Sequence, residues 1–250
     1  MRRVLIIPIA AGLSAGADAA QAQQTGDWSF EVTPYAWMAG LSGNVGTIPG
    51  LPPVEVDLSF GDILDDLDIA GMLFASARNG PWVLYLDTSY VRTSSTESLG
   101  GAVFDSVKVT SRTTTLALAV GRTFAETPRG SVDAYVGARA WWLENTFDLR
   151  AVGGGSADRT EKADWVDPLI GLAGRYRASD RWSLFGAVEV GGFGVGADSE
   201  WSVLAGATYR VTDGFGISAG WRHLEVDYDG DDALFDVSQS GPVIGATFRF

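Results

Sequence analysis

Charged side chains recur at alternate positions along several segments of the chain, and they are the residues best placed to do chemistry. If these segments are β-strands, the charges share one face, because side chains two residues apart lie on the same side of a strand. The acidic members are Glu31, Asp87, Asp133, Asp167 and Glu189, and the basic members are Arg78, Arg139, Arg175, Arg210, Arg222 and Arg249. Enclosed charges persist only when they are paired and hydrogen-bonded. We expect a charge network that either fills an interior or lines a narrow polar pathway for small solutes.

The only histidine, His223, has Glu225 two residues on, on the same strand face. A histidine oriented by a carboxylate can act as a general base for a serine nucleophile. No serine of the sequence is marked as a nucleophile by its surroundings. We therefore predict no catalytic residue and no enzyme activity, and keep a lipid-modifying enzyme as the alternative that uses His223.

Alternating carboxylates form a third group, at Asp227, Asp229 and Asp231. Carboxylate oxygens are suitable ligands for Ca²⁺. The calcium-loop pattern of the EF-hand is not met, because the glycine is misplaced and no glutamate follows at the required spacing. We expect a solvated loop, no bound metal and no cofactor. The chain has no cysteine, which excludes thiolate metal sites and cysteine catalysis.

The first residues have the order of a secretory signal peptide. Arg2 and Arg3 precede an apolar run from Val4 to Leu13, and small residues lead to Ala20-Gln21-Ala22. We assign residues 1–22 to the signal and 23–250 to one mature domain. Loss of Arg2, Arg3 and Asp18 takes the formal charge from −13 to −14. Such acidity argues against a nucleic-acid partner, since phosphate binding needs basic patches.

Apolar and polar residues alternate with a nearly continuous two-residue periodicity after Trp28. We predict ten strands, at about 28–41, 68–78, 81–93, 103–124, 131–149, 164–177, 181–193, 199–211, 214–228 and 241–250. Tight turns such as Arg78 to Pro81 alternate with longer polar connections, at residues 41–67, 94–102, 150–163, 194–198 and 229–238. The segment Val54 to Leu67 is ambiguous, and counting it differently gives eight or twelve strands instead of ten. A strand at Val54 to Leu58 is one alternative, and a helical turn in the barrel mouth is preferred.

The faces of these strands predict where the barrel lies. The apolar face carries aromatic residues near strand ends, at Trp82, Trp142, Trp182, Trp201, Tyr176 and Tyr209. Aromatic girdles around an apolar outer band are typical of outer-membrane barrels, as are short turns on the periplasmic side and longer loops outside. The fold class is therefore all-β, a closed antiparallel transmembrane β-barrel. About ten strands leave little free space inside once arginines fill it.

Four segments resemble a family of small proteobacterial outer-membrane β-barrel proteins, over nearly the whole mature chain. They are Pro34 to Gly43, Val56 to Asp68, and Gly220 to Tyr228 with Ser240 to Phe250. The resemblance implies a location in the cell outer membrane of a Gram-negative bacterium, contact with outer-membrane lipid and handling by the barrel assembly machinery. Phe248 and Phe250 match the C-terminal aromatic signal that this machinery recognises. Relatives often have Tyr where this chain has His223.

The functional expectation is an integral, porin-like outer-membrane barrel without enzyme activity. It is either structural or a narrow pore with a charged, largely plugged lumen. A lipid-modifying enzyme and a surface adhesin or binding barrel that uses the acidic loops are the alternatives.

Overall fold

The computed structural model describes residues 28–46, 52–101, 103–230 and 233–250. The predicted signal peptide, residues 1–22, lies outside this part of the chain. The fold consists of strands and one short helix. The strands are β1 (Trp28–Trp37), β2 (Gly40–Gly46), β3 (Val54–Leu58), β4 (Leu67–Asn79), β5 (Trp82–Ser98), β6 (Phe104–Thr127), β7 (Gly130–Ala151), β8 (Ser156–Arg177), β9 (Trp182–Gly191), β10 (Ser199–Arg210), β11 (Phe215–Asp229) and β12 (Leu234–Arg249); the helix is α1 (Phe60–Asp65).

Ten of these strands close a barrel, which confirms the predicted all-β antiparallel fold. β4 to β12 pair in chain order, and β1 pairs with both β4 and β12. Every pairing is antiparallel, as short hairpin connections require. We call the end with the tight turns and the C-terminus the lower end, and the opposite one the upper end.

The strands are strongly tilted. Paired residues traced from Trp28 through each neighbouring strand lead to Ser240 of β12 and then to Gly40, an offset of 12 residues along the chain. An offset of this size accompanies a tilt of about 40° in closed barrels. Residues at one height therefore shift by roughly one position per strand.

The region between β1 and β4 differs from the predicted long first strand, because β1 ends at Trp37. A hairpin follows, in which β2 pairs with the upper half of β12 and β3 pairs with β2. The strand at Val54–Leu58 and the helical turn, which the sequence left as alternatives, are both present. Ser59 caps α1 in a reciprocal capping box, and its hydrogen bonds to Asp62 lower the pKa of that carboxyl. In the part of the chain described, no helix is long and apolar enough to cross a bilayer.

Several upper connections are much shorter than predicted. The segments 94–102, 150–163 and 229–238 were expected to be long polar loops, yet most of their residues extend the strands. β6 has 24 residues and β7 and β8 have 22 each. Polar residues such as Thr146 and Thr160 pair across neighbouring strands there, at 3.1 Å between hydroxyl oxygens. Hydrogen-bonded ladders thus continue where the sequence becomes polar.

An apolar belt surrounds the barrel. Aromatic residues start or nearly end the strands at its lower edge, at Trp28, Trp82, Tyr176, Trp182 and Tyr209. Tyr90, Trp142 and Trp201 mark its upper edge, and the next outward residues on β5 and β7 are the charged Arg92 and Glu144. On β7 the belt runs from Val132 to Trp142, a height of about 25 Å for a tilted strand.

Candidate functional site

The inward faces of the strands enclose the largest set of buried polar groups, so the lumen is the candidate site. At its lower end, Asp133 is the centre of a group that we call the lower layer. Arg78 pairs with Asp133 at 2.5 Å, and Tyr85 donates its hydroxyl to the same carboxylate at 2.6 Å. Thr123 donates to Asp133 as well, at 2.5 Å. Asp133 is 2% exposed, so each donor compensates its lost hydration.

Beside this layer, four buried hydroxyls form a hydrogen-bonded chain along the lumen wall, across four neighbouring strands. Thr33 bonds Thr247 at 3.0 Å, Thr247 bonds Ser218 at 2.7 Å, and Ser218 bonds Thr208 at 2.8 Å. They come from β1, β12, β11 and β10, the strands on either side of the point where the barrel closes. Hydroxyls both donate and accept, so a chain of them satisfies itself without a charge.

The middle of the lumen contains two ion-pair groups, together called the middle layer. In the first, Asp87 pairs with Arg222 at 2.8 Å and accepts the hydroxyl of Tyr35 at 2.7 Å. Arg222 also donates to Tyr35 at 3.0 Å, which closes a triangle. The guanidinium of Arg222 lies 4.9 Å from the ring centroid of Trp37, within the range of a cation–π contact.

The second group holds one cation against two carboxylates. Arg139 pairs with Glu189 at 3.0 Å and with Glu200. Ser202 donates to Glu189 at 2.7 Å, and the Trp141 indole donates to Glu200 at 3.0 Å. The side chains of Arg139 and Glu200 are each 2% exposed. At that burial the geometry must be well satisfied, because a lone charge would be very costly.

Asp167 is buried without a directly bonded cation. It accepts the indole N–H of Trp165 at 2.8 Å and the backbone N–H of Ala197 at 2.6 Å. Ala197 belongs to the connection between β9 and β10, and it is fully buried. Asp167 therefore fixes this connection inside the upper mouth.

Above the middle layer, a cluster of apolar side chains on one side of the barrel fills the lumen. We call this cluster the cap. Trp141 stacks on Trp165 at 5.5 Å, and Trp165 stacks on Tyr228 at 4.0 Å between ring centroids. Phe235 lies against both tryptophans, at 5.9 and 6.0 Å. The other buried members are Leu143, Ala163, Ala197, Leu224, Val226, Ala233 and Val237. The cap comes from β7, β8, β11 and β12 and adjoining loop residues.

The cap and Glu200 were not predicted from the sequence, because the inward face was expected to be polar throughout. Strand alternation was enough to find both. Trp141 lies two residues after the inward Arg139, and Glu200 lies two before the inward Ser202. Outward residues were assigned well, since Trp142 is 44% exposed whereas Trp141 is 1% exposed.

The remaining predicted residues divide between the lumen mouth and the outside. Arg249 pairs with Glu31 at 2.9 Å, and Arg175 donates to Ser131 at 2.8 Å. Arg210 faces the lower mouth, where no ion pair to it is found among the described residues. Phe248 and Phe250 are exposed.

The two weaker groups lie away from the lumen. His223 and Glu225 face outward, 3.8 Å apart, and His223 lies beside Trp201. Asp227 and Asp229 are exposed near the upper end, and Asp231 is outside the described residues. Within the residues described, no cluster of three or more metal-ligating side chains is arranged to hold an ion.

Comparisons with known proteins give structural similarity only. The chain matches no protein-family model and no curated protein. Among solved structures, the translocator domain of the autotransporter NalP from Neisseria meningitidis is 13% identical, with 91% of this chain and 90% of that chain covered and a TM-score of 0.43. The attachment invasion locus protein Ail of Yersinia pestis, in complex with a heparin analogue, is 14% identical, with 90% and 100% covered and a TM-score of 0.33. The CymD monoaromatic hydrocarbon channel is 9% identical, with 91% and 88% covered and a TM-score of 0.36.

Proposed function

We propose that the chain is an integral outer-membrane protein whose barrel wall spans the bilayer. The support is the apolar belt, about 25 Å high, between two sets of outward aromatic residues, which matches the band that such barrels present to lipid. Arg122, an outward charged side chain near its lower edge, lies 5.8 Å from the ring centroid of Trp82. The tight-turn end then faces the periplasm and the long strands project outside.

We further propose that the lumen is closed along its axis and that the protein has no enzyme activity. The observation that carries this proposal is the arrangement of Arg139 with Glu189 and Glu200 directly beneath Trp141 of the cap. Barrels of about eight strands are filled by their side chains, and open channels belong to about sixteen. His223 and Glu225 face outward, away from this network, which leaves them without a role in lumen chemistry.

Planar-bilayer recording tests the closed lumen. The wild-type protein is expected to show no discrete conductance, whereas a variant with Arg139→Ala, Trp141→Ala and Trp165→Ala should conduct in steps because the ion-pair group and the cap above it are both removed. Trp142→Ala is the matched control, since this neighbouring tryptophan points outward. Steady ion conductance by the wild type, unchanged by the three lumen substitutions, would refute the proposal in favour of a narrow pore.

A surface-binding role is a second candidate, because β6, β7 and β8 continue well past the aromatic edge. From Trp142 to Ala151 the strand β7 rises by about 20 Å above the belt. This projecting sheet exposes charged residues such as Lys162 and Arg159. Removal of residues 145–161 should abolish adhesion of expressing cells to host matrix without unfolding the barrel. Unchanged adhesion would remove this candidate.

A further inference from the structure

The barrel wall is interrupted between β1 and β4. Their ladder ends at the pair Tyr35–Met72. Above that pair, β1 remains bonded to β12, whereas β4 continues for five residues with β5 alone beside it. Pairing resumes at Leu41–Leu58, between β2 and β3. Throughout this interval, all of which the structure describes, no ladder crosses from one side to the other. We call the interval the seam: residues 36–40 on one side and 59–71 on the other.

The upper part of β4 is open on both of its faces. Asp68, Ile69, Ala70 and Gly71 are all exposed. Ala70 has the inward orientation of Met72 and would be covered in a complete wall. A Cβ atom added at Gly71 would meet nothing within 4 Å. The seam therefore joins the lumen to the outer surface of the barrel.

The seam lies at the upper edge of the apolar belt. Gly71 is paired with Tyr90, one of the aromatic residues that mark this edge, and Ile69 is paired with Arg92 just above it. Ile69 is 56% exposed, and Leu64 of α1 is exposed close by. The rim thus offers apolar side chains at the depth where the acyl chains of an outer leaflet meet their head groups.

Inside the seam is an unused hydrogen-bond donor. The indole N–H of Trp37, at the upper end of β1, is buried and has no hydrogen-bond partner among the described residues. A buried donor without an acceptor costs about 1–3 kcal/mol, so native proteins rarely retain one without a reason. Arg222 covers the ring of Trp37, and its own hydrogen bonds go to Asp87 and Tyr35. An oxygen that reached Trp37 would accept this hydrogen bond beside the Arg222–Asp87 ion pair.

We propose that the seam is a lateral binding site and port for a single-chain amphiphile with a carboxylate or ester carbonyl head. The acyl chain lies against Met72 and Ile69, and a head oxygen accepts the Trp37 hydrogen bond. The proposal rests on the membrane location proposed above and adds a sideways route to a lumen that is closed along its axis.

The absence of cysteines makes this proposal testable with single labels. Met72→Cys places a bimane fluorophore on the lumen side of the seam. Thr115→Cys is the matched control, because Met72, Ser89 and Thr115 are cross-strand neighbours and Thr115 is lumen-facing in the intact wall. Leu73→Cys faces outward and reports membrane insertion. Each variant is reconstituted into vesicles and titrated with dibromostearic acid, whose bromines quench bimane on contact. Folding is checked by heat-modifiable gel migration.

Strong quenching is expected at Cys-labelled positions 73 and 72 and little at position 115. A second substitution, Trp37→Phe, keeps an aromatic ring without the donor and should raise the half-quenching concentration at position 72 about tenfold. The substitutions Ala36→Cys and Gly71→Cys together should form a disulfide across the seam. This disulfide should block the quenching at position 72 until it is reduced. Because both cysteines are used for the disulfide, the fluorophore at position 72 is then a fluorotryptophan in place of bimane.

Two results would overturn the port. One is equal quenching at positions 72 and 115 while position 73 is quenched, and the other is quenching at position 72 by dibrominated phospholipid but not by the fatty acid. No quenching at position 73 would instead mean that the protein is not in the bilayer, which contradicts the proposed function itself.

Discussion

The Arg139 group permits a prediction whose size follows from its burial. Arg139→Met keeps an unbranched, flexible side chain, and it removes the one cation that is hydrogen-bonded to Glu189 and Glu200 among the described residues. Both carboxylates are well covered, at 16% and 2% exposure of their side chains. Breaking a buried ion pair from one side costs about 3–5 kcal/mol, because an uncompensated charge remains. We expect the loss in free energy of unfolding caused by Arg139→Met to lie in the upper part of that range.

A double-mutant cycle separates this electrostatic cost from lost packing. Glu200→Gln alone leaves Arg139 paired with Glu189, so it should cost about 1–2 kcal/mol. In the double variant only Glu189 remains charged, and Ser202 still donates to it. The double variant should therefore be less destabilised than the sum of the single variants by about 2 kcal/mol.

The measurement is urea unfolding of the protein in detergent micelles, followed by tryptophan fluorescence and analysed at a common slope. Arg112→Met is the control, since Arg112 pairs with Glu144 at a position where its side chain is 37% exposed, and such pairs contribute less than about 1 kcal/mol. The reasoning is refuted if Arg139→Met costs no more than Arg112→Met, or if the two single effects simply add.

Other parts of the molecule lead to further expectations. Thr247→Val should cost about 1–3 kcal/mol in the same unfolding assay, because it leaves Thr33 and Ser218 without a shared partner, whereas a cost below about 0.3 kcal/mol would mean that the hydroxyls rebond among themselves. Removal of Phe250 should lower the amount of folded barrel in the outer membrane in a pulse-chase experiment, and unchanged assembly would argue against the C-terminal signal. His223→Ala should leave the lipid composition of that membrane as in the wild type, and any specific change would support the enzyme alternative.

Strand alternation was sufficient to predict the barrel, its faces and most of its inward charges. It worked because one face of each strand meets a continuous apolar environment, which forces a strict period of two. The cap was missed although alternation places Trp141 and Trp165 on the inward face, because that face was expected to be polar throughout.

The differences between the predicted and the observed structure around β2 and α1 have another cause. Val54 to Leu58 alternates over five residues only, and its partner β2 contains Gly40, Gly43 and Gly46, so neither segment carries a strong signal alone. Ladder bonds with β12 decide their structure. Likewise, the polar upper ends of β7 and β8 form strands because they extend a ladder that is already formed lower in the barrel. Amino-acid composition alone does not indicate this extension.

The chain of hydroxyls has a consequence for how the molecule forms. Thr33 and Thr247 are 214 positions apart, and Arg249 reaches Glu31 across 218. Contacts between such distant parts of a chain are entropically late events, which slow folding. Until β12 is in place the barrel cannot close, because β12 is the strand that pairs with β11, β1 and β2. Folding should therefore end with one slow step that assembles the whole interior at once.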